Sequence, residues 1–245
     1  MERKTRELEQ ARRLQMSMIP ESVPEVPELE IACMIRTATE VGGDYYDFFP
    51  QNDGALYLAI GDATGHGLSA GMMVGMTRSA IHALGPGGPS DLLGELNRVI
   101  RKVHPERMNM ALSLVRVAHG QVSISSAGMP PALLRRAVSG AVEELLLPGM
   151  PLGSLESSSY LETSTTLDPG DVLLLISDGL PELRNRHGEE LGYSELETRL
   201  ASCPASSAEE VLRSMVALGD AWCGDLAADD DVTLVAIRRR EPARL

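Results

Sequence analysis

Aspartates recur beside predicted strands, and their spacing along the chain is the first sign of chemistry. Asp44 precedes the strand-like run YYDFF, Asp62 ends ALYLAIGD, and Asp178 ends VLLLISD. A triplet of aspartates at 229–231 stands directly before VTLVAI. Because adjacent strands of a sheet lie about 5 Å apart, carboxylates at the ends of neighbouring strands can converge. One such aspartate alone is more often a turn residue, but four positions that share this context favour a common site.

A cluster of carboxylates is the kind of ligand set that a hard divalent cation prefers. Carboxylates packed together repel one another unless cations neutralise them. Such oxygen ligands suit Mg²⁺ or Mn²⁺ rather than Zn²⁺. We therefore predict a two-metal site with oxygen ligands. Glycines, which permit tight turns and a close approach of the backbone to a ligand, surround the aspartates at Gly42, Gly43, Gly61, Gly65, Gly67 and Gly179.

The stretch EVGGDYYDFF raises three interpretations of Asp44. It can be a turn residue, a metal ligand, or part of a hairpin like the GGDEF hairpin of nucleotide cyclases. A cyclase hairpin needs a second acidic residue after GGD, whereas Tyr45 follows here. It also needs a metal-binding acid well upstream, and only 43 residues precede Asp44. We therefore favour the metal ligand.

The elements that must position these aspartates read as an α+β protein. Strands fall in hairpins, for example around His119-Gly120, and helices fall in separate pairs, which predicts an antiparallel α+β sandwich instead of alternating βαβ units. Ser90 or Asp91 can cap the second helix. The predicted strands are 29–35, 45–49, 54–62, 111–118, 121–126, 132–136, 143–147, 160–167, 172–177 and 232–238, and the predicted helices are 68–84, 89–103, 194–202 and 208–222.

Residues 2–18 contain no glycine or proline and are rich in good helix formers. Their apolar seam is short, so it forms at most a marginal coiled coil on its own. Two interpretations stay open, a helix packed on its own domain and the end of a longer dimerising helix from an upstream module. The seam consists of Leu8, Ala11, Gln15 and Met18, with Leu14 beside it.

Prolines divide the chain into segments. Pro20, Pro24 and Pro27 end the N-terminal helix and mark an extended linker. We predict a regulatory or dimerisation helix at 1–19, a proline-rich linker at 20–28 and a catalytic domain beyond them.

Composition excludes several classes of protein. A net charge of -13 and a pI near 4.8 argue against binding to nucleic acid or to an anionic membrane. The acidity is compatible with a cation site, although a solvated acidic surface is the commoner cause. The longest apolar runs, such as 172–176, are too short to cross a bilayer, and the N-terminus lacks a signal peptide's apolar core. Three widely spaced cysteines indicate free thiols in a reducing cytosol. We expect a soluble, cytoplasmic protein.

Five motifs, in this order and at this spacing, resemble the PPM family of metal-dependent protein phosphatases, and within it the bacterial SpoIIE/RsbU branch. They are VGGDYYDFF, LAIGDATGHGLSAGMM, SSAGMPPALL, LISDGLPELRN and DDDVTLVAI. Each motif is weak alone, but the ordered set is specific and covers roughly residues 10 to 240. The resemblance implies a phosphatase domain at 29–240, with two antiparallel β-sheets packed as a sandwich, flanked by helices, and two metal ions at one edge.

The resemblance also implies the ligands of two Mn²⁺ or Mg²⁺ ions. Asp44 matches the first metal aspartate, and Asp62 matches the aspartate that bridges both ions. The backbone carbonyl of Ala63 matches a further ligand. Asp178 and Asp230 match the ligands of the second metal, so the four aspartates are the expected catalytic set. The aspartate triplet leaves the register open by one residue between Asp230 and its neighbour Asp231.

The activity implied by the resemblance is hydrolysis of phosphoserine or phosphothreonine on a regulatory protein by a metal-activated water. The substrate in this branch is commonly a small STAS-domain anti-sigma-factor antagonist. No protein nucleophile is needed, in keeping with the lack of a CxxxxxR phosphatase signature. The alternative is a catalytically degenerate phosphatase fold that only binds a partner, which the four retained aspartates argue against. A homodimer through the N-terminal helix is a further expectation.

Three other residues carry open questions. His66 in TGHG is either a general acid or, as we favour, a residue that shapes the turn. Arg36 is a candidate phosphate ligand, although a lone arginine near a strand is usually a solvated charge. Met129 stands in SAGMPP where the branch commonly has a histidine, so a polar contact is expected to be lost there.

Overall fold

The computed structural model describes residues 12–13, 15–38, 41–65, 67–103 and 108–241, and within them the chain forms two five-stranded antiparallel sheets. The first sheet has the order β1-β10-β9-β6-β7, and the second has the order β2-β3-β4-β5-β8. The strands are β1 (Leu29–Arg36), β2 (Asp44–Pro50), β3 (Leu56–Ala63), β4 (Met110–Ala118), β5 (Gln121–Ala127), β6 (Ala132–Arg135), β7 (Val142–Leu145), β8 (Glu162–Thr166), β9 (Val172–Ile176) and β10 (Val232–Arg239).

Four described helices cover the outer faces of the two sheets. Helices α1 (Leu68–Leu84) and α2 (Pro89–Val103) pack on the second sheet. Helices α3 (Tyr193–Ser202) and α4 (Ala208–Cys223) pack on the first. The four layers confirm the predicted α+β sandwich flanked by helices. No described helix has the length and apolar character to cross a bilayer.

The sequence of β9, VLLLI, shows how the layers are specified. All five residues are buried, as expected for a central strand covered on both faces. Because successive side chains of a strand point to opposite faces, Leu173 and Leu175 enter the core between the sheets. Val172, Leu174 and Ile176 face α3 and α4. One apolar run therefore supplies two cores.

The hairpin between β4 and β5 turns at His119-Gly120, as predicted. His119 has φ 50° and Gly120 has φ 74°, so both residues lie in the left-handed region that a two-residue turn of this kind requires. Ala118 and Gln121 pair directly across it.

The bounds of α2 match the predicted helix at 89–103, but its N-terminal cap differs from the prediction. The helix begins at Pro89, before the two predicted caps, and proline suits the first helical position because its missing N–H needs no partner there. Glu162 of β8 accepts hydrogen bonds from both the backbone N–H and the hydroxyl of Ser90, each at 3.1 Å. A residue far away in the sequence thus caps this helix.

The segment before β1 lies against the sandwich. A short helical stretch at 12–13 and 15–16 leads into it. Ile19 is buried in the core between the sheets, and Val23 and Val26 pack against the same core. Leu8, Ala11 and Leu14 of the predicted seam lie outside the described residues.

Candidate functional site

The predicted aspartates lie at one edge of the sandwich, where β2, β3, β9 and β10 start or end. Asp44 opens β2 and pairs directly across the sheet with Asp62 of β3. Asp178 follows the end of β9, and Asp230 precedes the start of β10, its neighbour in the other sheet. A hydrogen bond of 2.8 Å from the Ser177 hydroxyl to Asp44 Oδ2 joins the two sheets at this edge.

Asp44 is the most deeply buried of the four aspartates, with 2% of its surface exposed. Its orientation is set by Ser177, whose hydroxyl oxygen also accepts the backbone N–H of Thr233 at 2.9 Å. Burial raises the pKa of Asp44 to about 7, the hydroxyls of Thr233 and Ser177 oppose the rise, and the charges of Asp231 and Asp178 add to it. This carboxyl is held in place among like charges.

Asp62 and Asp178 are also destabilised as anions. Burial raises the pKa of Asp62 to about 8, with further contributions from the charges of Asp44, Asp178 and its neighbours. Burial and then the charge of Asp230 raise the pKa of Asp178. Oppositely charged ions at this edge would restore the ionised forms, because a nearby positive charge favours a carboxylate.

The backbone around Gly43 forms a small space lined by oxygen atoms. A Cβ added to Gly43 would lie 2.5 Å from the carbonyl oxygen of Ala63, 2.8 Å from Asp62 Oδ1 and 3.2 Å from the carbonyl oxygen of Gly65. Any side chain here would therefore fill the space that these oxygens face. The donors are a carboxylate and two carbonyls, which is the set that a hard divalent cation accepts. The residues present thus fit the predicted metal ions.

Asp231 has a different task from its neighbour. Its Oδ1 accepts the N–H of Ala38 at 2.7 Å, and its Oδ2 accepts the N–H groups of Gly43 and Asp44 at 2.6 and 3.3 Å. The Asp231 side chain is buried, and both of its oxygens are already used by the backbone. Asp230 is exposed, and within the described part of the chain it accepts a single hydrogen bond, from the N–H of Asp231 at 2.8 Å. The geometry favours Asp230 as the residue with free oxygens.

Sequence reasoning missed the part played by Gln15. Its side-chain amide is buried and hydrogen-bonds to both the N–H and the C=O of Gly42, two residues before Asp44. In the sequence, Gln15 is only a polar residue in an apolar seam. No local signal predicts its partner, because 27 residues separate the two.

The three remaining candidates have separate outcomes. Arg36 ends β1, but its guanidinium pairs with Asp220 of α4 at 2.8 Å. Met129 is buried in the core between the sheets, and its N–H donates to Ser126 Oγ at 3.2 Å. Its side chain has apolar neighbours at the position where a polar contact was expected to be lost. His66 lies outside the described residues.

The cluster is open and not a closed metal cage. Among the described residues, no three histidine, cysteine or acidic side chains converge tightly enough to hold an ion by themselves. Mg²⁺ usually keeps several waters and takes only one or two carboxylates from a protein, so an open set suits it. A cavity of about 400 Å³ adjoins the cluster and is lined in part by Gly179, Glu182, Arg184 and Asp230. It leaves room for a substrate beside the carboxylates.

Comparison with known proteins agrees with this geometry. The family model described as Stage II sporulation protein E (SpoIIE) matches residues 52–240. Phosphoserine phosphatase RsbU of Bacillus subtilis is 28% identical over 242 residues, which cover 96% of this chain and 70% of RsbU.

Two solved structures share the fold. The SiaA-PP2C domain of Pseudomonas aeruginosa superposes with a TM-score of 0.83 at 23% identity and covers 97% of both chains, a likeness that shows the fold alone. The RsbU and RsbW domains of Rv1364c from Mycobacterium tuberculosis give a TM-score of 0.77 at 29% identity, with 93% of this chain and 64% of that chain covered.

Proposed function

The chain belongs to the SpoIIE family of PP2C-type protein serine/threonine phosphatases, and from this premise we propose that it hydrolyses phosphoserine or phosphothreonine on a regulatory protein. The observation that carries the proposal is the oxygen-lined edge of the sandwich. There Asp44 and Asp62 lie opposite each other in the second sheet, and Asp178 and Asp230 approach from the first sheet. The pKa values of Asp44, Asp62 and Asp178 are all raised.

Phosphatases of this family are metal-dependent, and we propose two Mn²⁺ or Mg²⁺ ions for this chain. Asp44, Asp62 and the carbonyl of Ala63 would hold one ion. Asp62, Asp178 and Asp230 would hold the other. When bound, two such ions supply a nucleophilic water near neutral pH and offset the charge of a phosphoryl group.

The chain's own residues hold this arrangement ready. The Ser177 hydroxyl donates to Asp44 Oδ2 and so fixes the orientation of this carboxyl. Asp231 holds the backbone on which Asp44 is carried. The adjoining cavity provides the space in which a phosphorylated segment of another protein can lie. Because positioning is supplied in advance, little reorganisation remains for the reaction.

For the substrate we propose a phosphorylated STAS-domain anti-sigma-factor antagonist. Support comes from the relative that is named a phosphoserine phosphatase and from the solved chain that contains both an RsbU and an RsbW domain. We propose the cytoplasm as the compartment, which suits the three free cysteines of the structure.

The decisive experiment measures phosphate release by the full chain with and without Mn²⁺. A small aryl phosphate tests the chemistry, and phosphoserine STAS proteins, set against unrelated phosphoproteins, test the substrate. We expect release that requires the metal and is fastest with a STAS protein. No release under any metal condition, together with retained binding of a STAS protein, would instead identify a degenerate partner-binding module.

A further inference from the structure

The Gln15 amide binds Gly42 in the way one strand binds another. Its Nε2–H donates to the Gly42 carbonyl at 2.6 Å, and its Oε1 accepts the Gly42 N–H at 3.1 Å. Both backbone groups of one residue are therefore satisfied by one side chain. Gln15 is 4% exposed, so water does not compete for these bonds.

Gly42 belongs to the short loop that delivers Asp44 to the cluster. Side chains from outside the loop accept its N–H groups, with Gln15 on Gly42 and Asp231 on Gly43 and Asp44. The N–H of Gly67, at the start of α1, donates to the Val41 carbonyl at 2.9 Å. The loop is therefore set by contacts from three separate parts of the chain, and Gln15 is the N-terminal one.

Two glycines of helix α1 leave room for the N-terminal segment and for the 41–44 loop. Glycine is unfavourable inside a helix, yet α1 has Gly71 and Gly75 on the side that meets the N-terminal segment. A Cβ on Gly71 would lie 2.9 Å from Val41 Cγ1 and 3.9 Å from Gln15 Cδ. A Cβ on Gly75 would lie 3.4 Å from Met18 Sδ, an ordinary contact. At Gly71 the missing side chain is what allows the loop to lie where it does.

We propose that Gln15 is a positioning residue of the phosphatase, which holds the 41–44 loop so that Asp44 can act with Asp62 on a divalent cation. Its two hydrogen bonds act through the loop and not on the substrate. The part of the inference that concerns Mn²⁺ affinity rests on the proposed function. It predicts that the N-terminal segment sets metal affinity even though it contributes no ligand.

The test compares Gln15→Met with Gln51→Met in the full chain. Methionine keeps the length of the side chain and removes the amide. Gln51 is the matched control, because its amide also donates to a backbone carbonyl, that of Phe49 at 3.0 Å, just beyond the far end of β2. Titration calorimetry with Mn²⁺ should show affinity weakened roughly tenfold in Gln15→Met, the size expected for leaving buried polar groups unpaired. Gln51→Met should bind as the unsubstituted chain does.

Hydrogen exchange supplies a readout that needs neither metal nor activity. Without Mn²⁺, the amides of 42–44 should exchange faster in Gln15→Met and at the original rate in Gln51→Met. Unchanged exchange and unchanged Mn²⁺ affinity in a folded Gln15→Met protein would overturn the inference. If the unsubstituted chain itself binds no Mn²⁺, the proposed function fails, while the exchange result still decides the role of Gln15.

A second pair of variants covers the case in which Gln15→Met does not fold. Alanine has a higher helix propensity than glycine at both positions. In Gly71→Ala the added methyl group crowds Val41, whereas in Gly75→Ala, one helical turn later, it makes an ordinary contact. We expect Gly71→Ala alone to weaken Mn²⁺ binding by several fold. Equal binding by both alanine variants would contradict the idea that the position of this loop sets metal affinity.

Discussion

Asp44 and Asp47 lie three residues apart on β2, both are buried, and their surroundings are opposite. Asp47 Oδ2 accepts hydrogen bonds from Arg78 Nε at 2.9 Å and from the Tyr45 hydroxyl at 3.1 Å, with His82 Nε2 at 3.1 Å as a further partner. Asp44 has two hydroxyls near it and otherwise faces aspartates. One carboxylate is neutralised by its own chain, and the other is left among like charges.

The comparison separates a carboxylate that stabilises the fold from one that serves the site. A buried charge must be paired or it costs free energy. The Arg78 and His82 side chains of α1 supply the partners at Asp47, so the middle of β2 needs no added ligand. Among the described residues no cationic side chain acts on Asp44. The fold therefore keeps an electrostatic cost that added divalent ions would relieve. The predictions below test this difference.

The largest effect is expected at Asp62. Asp62→Asn removes the carboxylate proposed to bridge both ions, so Mn²⁺-dependent hydrolysis should fall by at least ~100-fold. The metal-free protein should be as stable as before or more stable, because one of several repelling charges is gone. Phosphate release and thermal unfolding measure the two effects. Asp225→Asn, at an exposed site, is the control, and full activity in a folded Asp62→Asn protein would refute the two-metal proposal.

The aspartate triplet allows a sharper comparison. Asp230→Asn should lose metal-dependent activity and keep its stability, because the Asp230 side chain is exposed. Asp231→Asn should lose activity and also unfold more easily, by about 1–3 kcal/mol, because an amide group would face backbone N–H donors. Asp229→Asn, the exposed neighbour, is the control for both. Denaturant unfolding beside phosphate release distinguishes them, and a stable but inactive Asp231→Asn would reverse the assignment.

Stability of the metal-free protein should depend on pH in an unusual direction. A carboxyl whose folded pKa is raised binds its proton more tightly in the folded chain, so stability is lost as pH rises from about 4 through the folded values. Those values are about 7 for Asp44 and about 8 for Asp62. We expect a loss of several kcal/mol across this range, because each unit of pKa shift corresponds to about 1.4 kcal/mol. Mn²⁺ at pH 8 should restore the stability, and thermal unfolding on a pH series with and without Mn²⁺ measures both. A metal-free protein that gains stability over this range would show that the cluster is not strained.

Asp47→Asn should give the opposite pattern to Asp62→Asn. It removes the negative partner of Arg78, which is itself partly exposed, so the free energy of unfolding should fall by about 1–3 kcal/mol. Mn²⁺ affinity per folded molecule should stay within about twofold, because no cluster carboxylate changes. Denaturant unfolding and calorimetry decide the point. If Asp47→Asn weakens metal binding as strongly as Asp44→Asn does, the two carboxylates of β2 are not independent.

The sequence predicts the clustered aspartates much better than it predicts the contacts that support them. The convergence of Asp44, Asp62 and Asp178 could be predicted because each stands at the end of a strand-like run with glycine beside it. The strands themselves follow from apolar runs and from turn residues such as His119-Gly120. These are local signals, and a local signal can be read from one chain.

The supporting contacts could not be predicted because their partners are distant in sequence. Asp231 reaches Gly43 across 188 residues, and Gln15 reaches Gly42 across 27. Nothing in the DDD triplet shows that its members differ, since burial by the surrounding fold decides which one is used by the backbone. The predicted cap of α2 is wrong for the same reason, because the residue that caps the helix, Glu162, belongs to β8.

The smallest effect is expected from the N-terminal helix. Of its predicted seam, Gln15 and Met18 lie against α1 and the 41–44 loop of the same domain. Leu8 and Leu14 lie outside the described residues, and a homodimer through them stays a prediction. A parallel coiled coil fused in register ahead of Arg6 would constrain the helix that carries Gln15, and any change in its position would reach the Asp44 end of β2 through Gly42.

We therefore expect the fusion to raise Mn²⁺-dependent turnover by a few fold, in the range that modest biases between two states produce. Leu8→Glu with Leu14→Glu should remove the gain, because charges in the seam oppose helix pairing. Turnover is measured at equal protein concentration for the fused, unfused and double-Glu proteins. Introducing Gln15→Met into the fusion should also remove the gain, because the two hydrogen bonds from Gln15 to Gly42 are proposed to couple the helix to Asp44. Equal turnover in all four proteins would make the helix a packing element only, whereas a gain that survives Gln15→Met would mean that the signal reaches Asp44 by another contact.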